Sequence, residues 1–200
     1  QGSFADGTRY YCEHTSHHPP ISHYLLENEN YRLSGYYEFI GKMGTNSLTS
    51  GLRGPSTLRF KDGTQILFNA PDFKLGGTVM GDRTIECVSS LVFHDPKNLL
   101  KAVVCLNTYK ESGMFTKSVS GSRSGLDGLV YRVKAKDNGA PKFGKDQKLP
   151  ESVKDIKDVD KQLSVISGSW LEAVCFDGKP YWNIDQVAPL RQIPQTGDQP

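Results

Sequence analysis

Apolar residues in this chain come in short runs, broken by glycine, proline and Asp-Gly pairs. Residues 8–12 and 21–26 are aromatic- and aliphatic-rich runs, and residues 31–40 alternate well enough to predict a half-buried strand. The clearest hairpin signal is residues 57–60 and 65–68 around Asp62-Gly63, where glycine supplies the positive φ of a tight reversal. Further strands are expected at residues 77–80, 83–92 and 101–106. Residues 128–135 and 163–170 are expected to pair with each other. A last hairpin is expected to run from residues 172–176, through Asp177-Gly178, to residues 181–184. Strands at about 8–12-residue spacing with glycine turns predict an antiparallel sheet, sandwich or barrel.

Residues 134–162 break the pattern. They are rich in Lys and Asp, contain Pro141 and Pro150, and carry few large apolar side chains. They are expected to form an exposed polar insertion, with a short helix at residues 152–162. A membrane-facing basic loop is the rival reading, but acids interleaved with the lysines cancel much of its field. There is no internal repeat.

Composition narrows the class. Two hundred residues suit one domain with a tail, and 36% apolar content with 20 glycines suits a turn-rich globular chain. A net charge of +2 gives no bulk field for nucleic acid. The longest apolar run, residues 99–106, is interrupted by Lys101 and falls short of the roughly 18 residues of a spanning helix. The first ten residues lack a signal-peptide core and read like the middle of a domain, so the chain is expected to be cut from a longer protein. Cys12, Cys87, Cys105 and Cys175 lie far apart, which favours reduced, mostly buried thiols and leaves two disulfides as the alternative.

The chemistry concentrates in Tyr11-Cys-Glu-His-Thr-Ser-His-His-Pro-Pro20. Pro19 biases His18 away from helix, so the cluster sits on extended or turning backbone. On such a backbone neighbouring side chains diverge, and His17 and His18 need a local bend to share a ligand. Several readings stay open on residue types alone. Imidazoles can grip a phosphate through N–H donors. Cys12, His14 and His17 are competent zinc ligands, without a second ligand pair at a recognised spacing. Ser16 or Cys12 beside a histidine could be a nucleophile, although no Gly-x-Ser-x-Gly elbow surrounds Ser16. A structural histidine turn is the plainest reading.

Glu13-His-Thr-Ser-His-His-Pro-Pro20 resembles the oxysterol-binding protein signature Glu-Gln-Val-Ser-His-His-Pro-Pro, with His14 and Thr15 replacing Gln and Val. The aromatic run Arg9-Tyr-Tyr11, the segment Thr45-Asn-Ser-Leu48 and Ile166-Ser-Gly-Ser-Trp170 extend the resemblance from about residue 8 to residue 185. It implies a mainly β fold, a large incomplete antiparallel β-barrel around a lipid tunnel, with the polar loop or short-helix insertion set into it. The core would span residues 1–185, with residues 186–200 a tail.

By the same resemblance, His17 and His18 hold the phosphate of phosphatidylinositol 4-phosphate, while Glu13, Ser16, Pro19 and Pro20 support the motif. No cofactor, metal or catalytic residue is implied. The partners are a lipid ligand, sterol or phospholipid, and peripheral membrane contact, without nucleic acid, in a cytoplasmic protein working at membranes or membrane contact sites. The family's lid, its upstream Lys-Pro-x-Asn-Pro segment and its downstream Lys, Glu and Arg have no counterpart in these residues, as expected of a fragment or, alternatively, of a shortened divergent member. Tyr36, Phe39, Phe60, Leu67, Val79 and Ile85 have the residue type and setting to line the tunnel, or to be ordinary core. Trp170, Tyr181 and Trp182 are expected to pack the last hairpin, with a place at a membrane interface as the alternative. An enzyme using the histidine cluster and a ligand-free structural fragment are the alternatives to lipid transfer.

Overall fold

Strand-forming runs and glycine turns dominate the computed structural model, which describes residues 1–112, 118–144 and 147–187. In chain order the strands are β1 (Gly2–Ser3), β2 (Arg9–His17), β3 (Pro20–Glu27), β4 (Tyr31–Met43), β5 (Ser47–Arg53), β6 (Ser56–Phe60), β7 (Gln65–Phe68), β8 (Asp72–Gly76) and β9 (Thr84–Val88). There follow β10 (Ser90–Asp95), β11 (Leu100–Leu106), β12 (Lys110–Ser112), β13 (Ser118–Ser120), β14 (Gly125–Val133), β15 (Val159–Ser169), β16 (Ala173–Phe176) and β17 (Lys179–Asn183). Fifteen of them form one antiparallel sheet, ordered β1-β2-β3-β4-β6-β7-β10-β11-β14-β15-β16-β17, and β12 pairs with β13 separately. The long β4 makes a fork: Tyr31 to Gly35 pair with β6, whereas Glu38 to Met43 pair with β5, which leads on to β8 and β9. The sheet is mainly antiparallel hairpins and does not close.

The turns with local chemistry fold as expected. In the β6–β7 hairpin the Gly63 N–H donates to the Phe60 carbonyl, Gly63 takes φ +85°, and Asp62 Oδ1 accepts the Thr64 N–H at 2.8 Å. In the β16–β17 hairpin Asp177 and Gly178 take φ 50° and 76°, the paired left-handed conformations of a type I′ turn. β14 and β15 pair along their length.

Three expectations fail for tertiary reasons. Residues 77–80 are not a strand, because Gly77 at φ +67° turns the chain so tightly that a Cβ there would lie 2.1 Å from the Asp82 carbonyl oxygen. Residues 83–92 are two strands, because Ser89 at φ 71° breaks the extended run. The helix expected over residues 152–162 shrinks to a 3₁₀ turn, Val153–Asp155, since Val159 is already paired with Val133 in the sheet.

The other described residues of 134–158 cross one face of the sheet as a strap. Although polar in composition, it buries Phe143 and packs Leu149, Val153 and Ile156 on the core formed by Val92, Val103, Cys105, Tyr131 and Val133. Buried polar contacts latch it down. The Ser90 hydroxyl donates to the Pro150 carbonyl, and His94 Nε2 meets Asn138 Oδ1 at 2.8 Å while Asn138 Nδ2 donates to the Pro96 carbonyl. Asp158 accepts from Lys101 Nζ at 2.6 Å and the Tyr131 hydroxyl at 2.8 Å.

Candidate lipid-facing site

The histidine segment forms the β2–β3 hairpin, with His17 opposite Pro20 and His18-Pro19 as its two-residue turn across a cis peptide bond. Within β2, His14 and His17 are three residues apart, a spacing that puts side chains on opposite faces of a regular strand. The register shifts between His14 and Ser16, where Thr15 is the extra residue of a bulge. The bulge returns both rings to one side. Their centroids are 5.9 Å apart, and His17 and His18 are 4.5 Å apart. All three rings are exposed. The bend that His17 and His18 need is therefore the hairpin turn itself, and it recruits His14 as a third imidazole.

The bulge is held by its own hydrogen bonds. Thr15 Oγ1 donates to the Ile21 carbonyl at 3.3 Å and lies 2.9 Å from His23 Nδ1, while His14 Nδ1 meets Ser22 Oγ at 3.1 Å. The resemblance assigns the phosphate to His17 and His18 alone, with His14 only a zinc candidate, and nothing in the sequence around His14 announces a bulge. Glu13, opposite His23, and Ser16, opposite Ile21, project to the reverse face. They sit in the motif on the other side of the sheet from the His14, His17 and His18 rings. Pro19 forms the turn, and Pro20 opens β3.

Directly opposed residues of an antiparallel pair share a face, so the register traces which side chains accompany the histidines. His14 is opposite Ser22, which is opposite Tyr37. From Tyr37 the face runs through Phe39 to Leu52, and along the fork through Met43, Leu48, Leu75 and Ile85. Toward the other strands it continues through Leu33, Leu58 and Ile66, and through the stacked Phe68 and Phe93. This face is apolar, mostly half-buried, and uncovered by the strap. Tyr24 stacks on Tyr37 within it and donates its hydroxyl to Ser56 Oγ at 2.6 Å; burial pushes the Tyr24 phenol far above its ordinary value.

Of the six expected lining residues, Phe39, Phe60 and Ile85 lie on this apolar face. Tyr36 and Leu67 lie on the other. Tyr36 packs against His23, and Leu67 packs on the core beneath the strap. Val79 is in the β8–β9 loop, outside either face. Both corrections follow from register, because one position along a strand reverses the side to which a side chain points. Of the late aromatics, Tyr181 packs edge-on against Phe176 at 5.0 Å.

The remaining candidate chemistry is dispersed. The four cysteines are unbridged, and only Cys105 is buried; Cys12 is exposed, contrary to the expectation of mostly buried thiols. Among the described residues no three His, Cys, Asp or Glu side chains are grouped to hold a metal ion. A concavity of about 550 Å³ borders the same hairpin at Tyr11, Glu13, His23, Tyr24 and Leu25. No helix among the described residues is long and apolar enough to cross a membrane. Most of the expected tail, residues 188–200, lies outside the described residues.

A family model described as "Oxysterol-binding protein" matches residues 3–188. The chain belongs to the oxysterol-binding protein family. It is 31% identical over 188 residues to "Oxysterol-binding protein 9" of Dictyostelium discoideum, covering 92% of this chain and 41% of that protein. Its fold is similar to the Osh3 ORD of Saccharomyces cerevisiae, solved in complex with PI(4)P, with a TM-score of 0.61 and 18% identity over 88% of this chain and 40% of that one. It is also similar to the Osh1 ORD domain solved with cholesterol, with a TM-score of 0.59 and 17% identity over 86% of this chain and 34% of that one. The chain thus spans about two fifths of the curated relative's length. At these identities the solved structures show a shared fold, the unclosed β-barrel sheet of this family.

Proposed function

We propose that this oxysterol-binding protein family chain is the sheet portion of a non-enzymatic lipid carrier. It would shield one sterol or phospholipid body against its uncovered apolar face, and it would grip the phosphate of phosphatidylinositol 4-phosphate with His17 and His18. The observation that carries the reading is the adjacency of an uncovered apolar sheet face and an exposed imidazole turn at its end. A lipid leaving a bilayer exposes acyl chain at roughly 0.8 kcal/mol per CH₂, which an apolar face offsets. The headgroup instead needs donors in water, which imidazoles supply. His14, set beside His17 by the bulge, adds a third donor to the grip. The relatives solved with PI(4)P and with cholesterol make both ligand classes the first to test. Residues 1–185 would be the folded core, acting in the cytoplasm at membrane surfaces, with the remainder of the carrier supplied by a longer chain.

The test is lipid extraction from liposomes. His17→Ala/His18→Ala should lower phosphatidylinositol 4-phosphate extraction at least tenfold and leave sterol binding within twofold. Equal loss of both ligands in a folded variant would rule out this division of labour.

A further inference from the structure

Two turns at the histidine end of the sheet hold large apolar side chains in water. Met43, at the end of β4, is 85% exposed, and Val79 and Met80, in the β8–β9 loop, are 73% and 72% exposed. A flexible loop of this composition would fold its side chains onto the nearest apolar surface. Asn46 holds the backbone instead. Its Oδ1 accepts the N–H groups of Val79 at 2.8 Å and Met80 at 3.1 Å, and its Nδ2 donates to the Met80 carbonyl at 2.9 Å. Its own carbonyl accepts the Thr78 N–H. The β4–β5 turn and the β8–β9 loop are thus clasped into one tip.

Register fixes where the tip lies. Ile21 is opposite Glu38, so the His18-Pro19 turn ends just past that level, while β4 runs on to Met43. At about 3.3 Å per residue, the tip projects roughly 10 Å beyond the histidines along the strand direction. Ser47 is opposite Gly76 and Gly76 opposite Thr84, so the loop springs from the same end.

The tip also has a charged side. Lys42, Thr49 and Lys74 stand in a row across β4, β5 and β8, on the face opposite Met43, and Arg83 closes the loop. All three cations are exposed, and none has an acidic partner among the described residues. Glu86, opposite Lys74, is taken by Arg123 at 2.7 Å, which leaves the exposed Asp82 as the local acid. Apolar side chains at a tip with cations behind them match an interface where headgroup phosphates overlie acyl chains. Two narrow turns do not provide the roughly 800 Å² per partner of a stable protein interface.

We propose that this tip is an interfacial anchor for an anionic bilayer. Met43, Val79 and Met80 enter the boundary between headgroups and acyl chains, and Lys42, Lys74 and Arg83 face lipid phosphates. Docking stands on exposure and charge alone; that it delivers the histidine turn to the membrane rests on the lipid-carrier reading.

Flotation with phosphatidylcholine vesicles, with and without phosphatidylserine and free of phosphoinositide, tests the anchor without engaging headgroup capture. The 200-residue chain should float with the anionic vesicles, and less so as salt rises. Val79→Asp/Met80→Asp should weaken binding at least tenfold, and the milder Val79→Ser/Met80→Ser should weaken it severalfold. Lys42→Glu/Lys74→Glu should cost about fivefold per cation or more. Ile184→Asp, an exposed apolar site in the 3₁₀ turn just after the last hairpin, should change nothing. Wild-type-like flotation of the folded Val79 and Met80 variants would overturn the proposal, as would failure of the wild type to bind. So would light scattering that shows a wild-type dimer lost in those variants while flotation persists, because the tip would then be a contact between copies. Loss of phosphoinositide extraction in His17→Ala/His18→Ala, with flotation intact, separates the two sites.

Discussion

The two faces of this sheet are both apolar, yet one is finished and the other is open. On the strapped face, Val92, Val103, Cys105, Tyr131 and Val133 are buried under Phe143 and its neighbours. On the face shared with the histidines, Phe39, Phe60, Phe73, Leu75 and Ile85 remain at least one-third exposed. The first has the closure of a core, and most of the chain's stability should come from it. The second has the residues of a core with no cover among the described residues, so it offers apolar surface that a ligand or further chain can bury. Stability and the proposed lipid-shielding role fall on two sides of the same strands.

The largest test of that division is substitution on the closed face. Tyr131→Ala removes a fully buried ring and one of the two donors that hold Asp158, and should cost about 3–5 kcal/mol. Phe39→Ala on the open face should cost clearly less, about 1–2 kcal/mol, because Phe39 is already 45% exposed. Urea unfolding of the two variants measures both; similar losses would erase the distinction.

Removing a strap latch comes next. Asn138→Ala strips His94 of its partner inside the fold and should cost about 1–3 kcal/mol, with faster proteolysis within residues 134–158.

His94 gives that latch a pH dependence of definite sign. The groups facing it are Asn138 and Asp158 from the strap, Lys101 from β11 and Asp95 from its own strand. Burial holds His94 below its ordinary 6.5, so the unfolded chain binds a proton more readily than the folded one. Stability should therefore fall as pH drops below about 6.5, toward the lowered folded value. Asp158 behaves differently. Burial raises its carboxyl, but hydrogen bonds from Lys101 and Tyr131 more than offset this and hold it below 3.8. Its contribution is present above that value and is lost only in stronger acid. Thermal melts should show the first loss as pH falls below about 6.5 in the wild type and a smaller one in His94→Gln.

The smallest effect belongs to the histidine turn. His17→Ala/His18→Ala should alter stability by no more than about 0.5 kcal/mol, since both rings are exposed. A larger change would mean that the turn is part of the framework.

The local features were legible in the sequence. Asp62-Gly63 and Asp177-Gly178 dictate their hairpins because positive φ is a property of the residues themselves. The alternation at residues 31–40 marks β4, and the proline pair keeps His18 in a turn that His17 enters as the last residue of β2. The histidine-proline motif carries the family resemblance for the same reason, as a contiguous string. What only the tertiary structure decided depends on pairing partners. The bulge at Thr15 aligns His14 with His17, the pairing of Val159 with Val133 leaves no room for a helix, and register sends Tyr36 and Leu67 to the face away from Phe39. A strand's alternation says that its side chains divide between two sides. Which side is covered depends on residues far along the chain, and here a polar-looking strap supplies the cover.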